Sequence, residues 1–324
     1  MGHGEYFIDL ANAQAKILSG QLEVIIVSPI NARYIGRLDP HIRHVGYHRS
    51  GSRNNPFLLF ELFNIFLKES PTLVHTHFNK ATKIYSRFSK YLKSSWVATK
   101  HNPRASSSYE KVPHVIAVSK EVAKSFDHPN LTIINNGIDI KKIPNFSLHK
   151  QPIQLKLLAV GRLEKIKGFE TLISSLSLLQ GNTDWVLNIV GEGKERATLE
   201  KLIRNNGLRN RVKLLGFRDD IKSLMQKHDL VVVSSKSEGF SLVILESLIN
   251  CPLVVSTPVG IAKELLPEEL ILPFSDYKSR LDYVMRNYIK CFKILDSSRI
   301  KMLEGFSLDQ AVVKHFNLYK SVVH

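Results

Sequence analysis

The chain has 324 residues and 44% hydrophobic content, enough for sizeable cores in about two domains. Its 45 Lys and Arg against 29 Asp and Glu give a net charge of +16, and two cysteines, Cys251 and Cys291, are too few for a disulfide framework and are expected to be inert thiols in a reducing compartment. No run reaches the roughly 18 to 20 apolar residues of a membrane span, and no charged-then-apolar leader opens the chain, so the expected location is cytoplasmic for a bacterial source.

The opening stretch, with Gly2 and Gly4, reads as a Gly-rich turn running into a helix, followed by a strand over Leu22 to Val27. A basic region comes next: Arg33, Arg37, Arg43, Arg49 and Arg53, with Tyr34, Tyr47 and three His interleaved. The strand Leu73 to Phe78 carries His75 and His77, which are expected on opposite faces and so not to share a metal. Lys80 to Lys93, KATKIYSRFSKYLK, has the spacing of an amphipathic helix with Ile84, Phe88 and Leu92 on one face. Trp96 to Asn102 is a strand ending at His101, whose plain reading is a hydrogen-bonded loop histidine. Strands follow at His114 to Ser119 and Leu131 to Ile134, the second entering a turn where Asn136-Gly137 supplies positive φ. A proline-bearing polar stretch, 143–152, reads as the interdomain linker.

In the second half, a strand runs into Gly161 and a basic loop with Arg162 and Lys167 precedes a helix marked by Phe169, Leu172, Ile173 and Leu176. Two cations on a strand-to-helix loop can converge on a diphosphate. Gly191-Glu192-Gly193 lacks the third glycine of a dinucleotide fingerprint, since Arg196 stands there, which weakens an oxidoreductase reading. Leu230 to Val233 is a buried strand, Gly239 and Ser241 loosen and cap a helix that Asn250 and Pro252 stop, and Leu253 to Val255 is another strand. Glu238 lies at that helix entrance and Glu246 about two turns inside, so both can point toward the carboxyl edge of a parallel sheet, where open α/β sheets bind ligands. Bare helix amides attract phosphate and carboxylates accept hydrogen bonds from sugar hydroxyls. Taken alone, E-x7-E is equally a solvated Glu before an ordinary helix. Ser256 to Glu264 forms a further strand-to-helix loop, and Phe306 to Val322 is an amphipathic helix.

GRLEKIKGFETLI and EGFSLVILES together resemble the motifs of the retaining GT-B glycosyltransferases of group 1, family 4 type, which include bacterial lipopolysaccharide and capsule or O-antigen enzymes. The likeness covers about residues 155 to 265 and implies an α/β fold of two Rossmann-like domains facing a cleft. It implies an N-terminal acceptor domain at 1–150, a donor domain at 151–306, and a helix at 307–324 returning to the first. Arg162 and Lys167 would hold the donor diphosphate, Glu238 would contact the transferred sugar, and Glu246 would take the ribose hydroxyls. Gly161 and the backbone of Gly239, Phe240, Ser241 and Leu242 would add contacts, with Gly216 and Phe217 near the base. His101 matches a cleft histidine beside the sugar. Family members place an apolar strand before the opening turn, absent here, which bears on Gly2 and Gly4, whose counterparts line the phosphates.

The implied activity is sugar transfer from a nucleoside diphosphate sugar, a UDP-sugar favoured, to a glycan or lipid-linked acceptor, with retention and with neither metal nor cofactor. A nucleotide-sugar epimerase and a catalytically silent binder are the alternatives. Residues 1–150 hold 20 Lys and Arg against 10 Asp and Glu. That excess fits peripheral association with the anionic inner face of the cytoplasmic membrane or an acidic acceptor, and equally a solvated surface. No nucleic-acid signature accompanies it.

Overall fold

The computed structural model describes residues 6–49, 51–140, 146, 150–179 and 184–323. The chain divides into two compact units, one made of His3–Asp139 with Ser307–His324, the other of Ile140–Phe306. Gly2, Gly4 and most of the expected linker fall outside the described residues.

The first unit opens with the helix Tyr6–Ile17 and holds six strands, all in parallel pairings: β1 (Ile25–Pro29), β2 (Arg43–Tyr47), β3 (Leu73–His77), β4 (Ser95–Lys100), β5 (His114–Ala117) and β6 (Leu131–Ile133). They form two ladders, β1-β2 and β3-β4-β5-β6, and the described residues contain no strand ahead of β1. The first strand begins three residues later than its apolar run, because the Leu18 carbonyl accepts from the amides of Gln21 and Leu22 and holds those residues in a turn. Ser307 caps the helix Leu308–Val322 by accepting from the Gln310 amide, and that helix packs on Tyr6–Ile17.

Three expectations fail in this unit. The helix predicted over Lys80 to Lys93 ends at Tyr85, having begun at Phe78, and a 3₁₀ turn at Ser89–Tyr91 follows. Tyr85 is 2% exposed, its ring packed edge-on against Trp96, Phe66 and Phe88. His75 and His77 share one face, with ring centroids 4.2 Å apart, because side chains two residues apart in a strand point the same way. Asn136 and Gly137 have no positive φ. Glycine is needed at 137 for close approach instead: a Cβ there would lie 2.5 Å from the Ser307 carbonyl oxygen.

The second unit is one parallel sheet of β7 (Gln154–Val160), β8 (Asp184–Val190), β9 (Val212–Gly216), β10 (Leu230–Val233) and β11 (Leu253–Ser256), in the order β11-β10-β7-β8-β9. β10 and β11 are buried throughout, as the unbroken apolar runs of strands covered on both faces should be. The helix Phe169–Ser177 buries Phe169, Leu172, Ile173 and Leu176, as its spacing predicts, each contributing about 2 kcal/mol of hydrophobic stabilisation.

The sheet grows from β7 through β9 in one direction, and the chain then returns to place β10 and β11 on the other side of β7. The winding reverses between β7 and β10, whose loops leave side by side at the carboxyl edge of the strands, the edge where open α/β sheets bind ligands.

Candidate functional site

The two loops at that reversal are the ones carrying the sequence motifs. The loop after β7 runs from Gly161 through a 3₁₀ turn at Lys165–Lys167, and the loop after β10 runs from Ser234 to Ser241. They are stitched together by backbone contact: the Lys236 amide donates to the Ile166 carbonyl at 2.7 Å, and Ser234 Oγ donates to the Lys167 carbonyl at 2.8 Å. Gly168 is where they press closest. Its φ is +65°, and a Cβ there would fall 2.0 Å from the Ser234 carbonyl oxygen, so no other residue fits without moving one loop.

Across this seam Lys167 Nζ lies 2.6 Å from Glu238 Oε1, with the two side chains 15% and 5% exposed. Ser235 Oγ donates to the same carboxylate oxygen at 2.7 Å. A buried carboxylate needs such partners, because desolvation of an unpaired charge costs several kcal/mol. Arg162 behaves differently: its side chain is 67% exposed and its guanidinium pairs with Glu164. The structure therefore joins Lys167 and Glu238 and leaves Arg162 on the rim.

Ser241 occupies the N-cap position of the helix Leu242–Asn250, but contrary to expectation it does not cap it. Its φ is +75°, and its buried Oγ finds no hydrogen-bond partner among the described residues. The preceding Phe240 carbonyl accepts from the Ile261 amide at 3.1 Å, which ties this loop to the one after β11 and fixes its direction into the helix. The helix thus starts with amides that no side-chain cap satisfies, the arrangement that receives an anion. Glu246 is half-buried on this helix. Gly216 closes β9 at φ +73°, and Phe217 beyond it is 74% exposed.

Two supporting residues escaped the sequence. Ser235 had a faint signal, as one of a run of small polar residues closing a buried strand. Arg299 had none. It is 1% exposed on the helix Tyr288–Glu304 and donates to the carbonyls of Leu248, Cys251 and Pro252, the last two at 3.1 and 2.6 Å. A cation bound to the last carbonyls of the helix Leu242–Asn250 complements its dipole and anchors its far end.

In the other unit, His101 is 2% exposed at the end of β4. Its ring stacks on Phe78 with centroids 4.4 Å apart, and its Nε2 lies 3.1 Å from His77 Nδ1. His75 Nδ1 bonds the Tyr319 hydroxyl at 2.6 Å and its Nε2 bonds Thr99 at 2.7 Å, while His315 Nδ1 lies 2.7 Å from the Ala311 carbonyl. Burial depresses these imidazoles, His77 to about 3 and His315 to about 4, and His75 well below its ordinary value, so they are held neutral. Next to them, burial lowers the Lys100 ammonium to about 8, and its Nζ holds the Asn102 carbonyl at 2.5 Å, fixing the turn that follows His101.

Three known proteins share sequence or fold with this chain. A glycosyltransferase of Methanocaldococcus jannaschii, uncharacterized by its description, is 32% identical over 240 residues, covering 66% of this chain and 61% of the relative. The N-acetylgalactosamine-N,N'-diacetylbacillosaminyl-diphospho-undecaprenol 4-alpha-N-acetylgalactosaminyltransferase of Campylobacter jejuni is 35% identical over 139 residues, 42% of this chain and 38% of the relative. The alignments thus span less than two thirds of either relative. The crystal structure of Anabaena HepE in complex with UDP-glucose superposes with a TM-score of 0.80 at 19% identity, covering 98% of this chain and 97% of that one. The fold is accordingly GT-B, and residues 141–274, which carry the Lys167–Glu238 seam, match the family model of the glycosyl transferases group 1.

Proposed function

We propose that the chain is a retaining glycosyltransferase that moves a sugar from a nucleoside diphosphate sugar, a UDP-sugar favoured, to a hydroxyl of a glycan or lipid-linked acceptor. The observation that carries this reading is the Lys167–Glu238 contact of 2.6 Å at the reversal of the strand order, where both family motifs meet. The UDP-glucose bound to the HepE structure supports the donor class, and the undecaprenol-linked substrate in the Campylobacter relative's name supports the acceptor class.

In the proposed mechanism the glycosidic bond loosens as the diphosphate departs, and stabilisation must be aimed at the charge developing on the leaving oxygens. Lys167 exchanges Glu238 for a phosphate oxygen, Arg162 swings from the rim onto the same group, and the uncapped amides at the head of the helix Leu242–Asn250 add their dipole. Protein cations take the charge-neutralising role that a metal plays in other transferases. Glu238, released from Lys167, accepts from a hydroxyl of the transferred sugar, and Glu246 accepts from the ribose hydroxyls. For retention we favour a front-face route, in which a leaving phosphate oxygen takes the proton of the incoming hydroxyl. His101 is assigned to the sugar side by the motif resemblance alone.

Thermal stabilisation by UDP-, GDP- and ADP-sugars tests this, with Arg162→Ala and Glu246→Ala alongside. Donor at a hundred times its dissociation constant should add about 2.7 kcal/mol to the wild type. Both variants should lose that gain. No shift in a folded sample refutes donor binding; conversion of the donor to an epimeric sugar without acceptor identifies an epimerase, and an inverted product by NMR refutes retention.

A further inference from the structure

We infer that the helix Pro56–Glu69 and the adjoining turn Ser89–Tyr91 form a docking surface for an anionic lipid bilayer. The solvent face of that helix carries Phe57 at 65% exposure, Phe60 at 67% and Leu67 at 50%, separated by about one turn and about two turns, and Tyr91 stands nearby at 64%. Phe63 connects the two elements, its ring centroid 6.4 Å from that of Tyr91. Large apolar side chains exposed in line along one helix face are costly in water unless something else receives them.

The charges show what that is. The helix contains two acids, and both are engaged: Glu61 accepts from the amides of His48 and Arg49 at 2.8 and 3.0 Å, and Glu69 binds Arg43 at 2.6 Å. Cations remain on the exposed side. Arg49 sits over the Phe57 ring at 5.2 Å and Lys90 over Tyr91 at 4.8 Å, while Lys68 and Lys93 are exposed beside them. Aromatic rings interleaved with long basic side chains, with the neighbouring acids held in hydrogen bonds and an ion pair, match the headgroup region of an anionic leaflet, where the rings enter the acyl boundary and the cations meet phosphate. The core of a protein–protein interface is instead depleted in lysine.

Flotation with vesicles tests the surface without any sugar donor, so its failure is separable from failure of the transferase reading. The full chain is mixed with vesicles of phosphatidylcholine alone and of phosphatidylcholine with phosphatidylglycerol in equal parts. It should float with the second and not the first, and high salt should release it. Phe57→Ser/Phe60→Ser, at exposed positions, should keep the circular dichroism of the wild type and lose roughly tenfold in partition. Lys90→Gln and Lys93→Gln should lose about fivefold each. Wild-type chain that ignores anionic vesicles overturns the proposal, as does a phenylalanine double variant that partitions like the wild type. If the double substitution instead converts a dimer to a monomer in light scattering with vesicle binding unchanged, the face belongs to a second copy.

Discussion

Substituting Lys167 by Met separates what the seam contributes to stability from what it contributes to binding. Lys167 and Glu238 are 15% and 5% exposed and 2.6 Å apart, so removing the ammonium leaves a carboxylate with little water and Ser235 as a remaining partner. Breaking a buried ion pair from one side costs about 3 to 5 kcal/mol, and the retained Ser235 bond puts Lys167→Met near the lower end, at about 3 kcal/mol. Glu238→Gln should cost less, about 1 kcal/mol, because the flexible lysine can move its charge toward solvent. The double variant should lie within about 1 kcal/mol of the wild type, because a pair replaced on both sides leaves no orphaned charge. Urea unfolding reads this directly. The chain has two tryptophans, Trp96 in the first unit and Trp185 on β8 in the second, so Trp96→Phe leaves fluorescence that reports the unit holding the seam. All three variants should lose UDP-sugar binding. A Lys167→Met chain within about 0.5 kcal/mol of its parent, or a double variant as unstable as Lys167→Met alone, would refute the argument that these charges hold the loops.

Two further outcomes follow from the buried titratable groups. His77 and His315 titrate near 3 and 4 in the folded first unit, against about 6.5 unfolded, so at intermediate pH the unfolded chain binds protons that the native one refuses. Stability of that unit is therefore full above about pH 6.5 and falls on acidification by up to about 1.4 kcal/mol per pH unit for each histidine, levelling near 4 for His315 and near 3 for His77. Trp96 fluorescence in urea at pH 7 and pH 5 checks this; His315→Gln should flatten the slope, and equal midpoints would refute it. Burial pushes the thiols of Cys251 and Cys291 up to about 12 and about 11, so neither should react with a thiol reagent at about pH 8 until urea exposes it. Labelling of the native chain counted by mass spectrometry would contradict their burial.

The second unit was the more legible from sequence. Unbroken apolar runs announced β10 and β11, and the residues that end up across the seam, Lys167 and Glu238, sat in motifs whose loops the strand order brings side by side. What spacing could not reveal was which of two cations would be drawn in: Arg162 and Lys167 share a loop, yet Glu164 retains one and Glu238 the other. Ser241 misled because its residue type favours capping, while the Phe240–Ile261 contact, twenty-one residues apart, decides its backbone. The same priority of distant contacts over local preference hid Arg299, whose partners lie 47 to 51 residues away.

The helix Leu308–Val322 closes the first unit through bonds that span most of the chain: Gln14 to Tyr319 over 305 residues, His75 to Tyr319 over 244, and Ser95 to the Val322 carbonyl over 227. During synthesis the first unit's strands emerge early and wait for that helix, whereas the second unit is contiguous and has all its strands in hand first. The order of completion on the ribosome is thus the reverse of the order of translation. A fragment ending at Asp139 would expose the face that Tyr319 covers and should aggregate, while Ile140–Phe306 expressed alone has every sheet partner it needs.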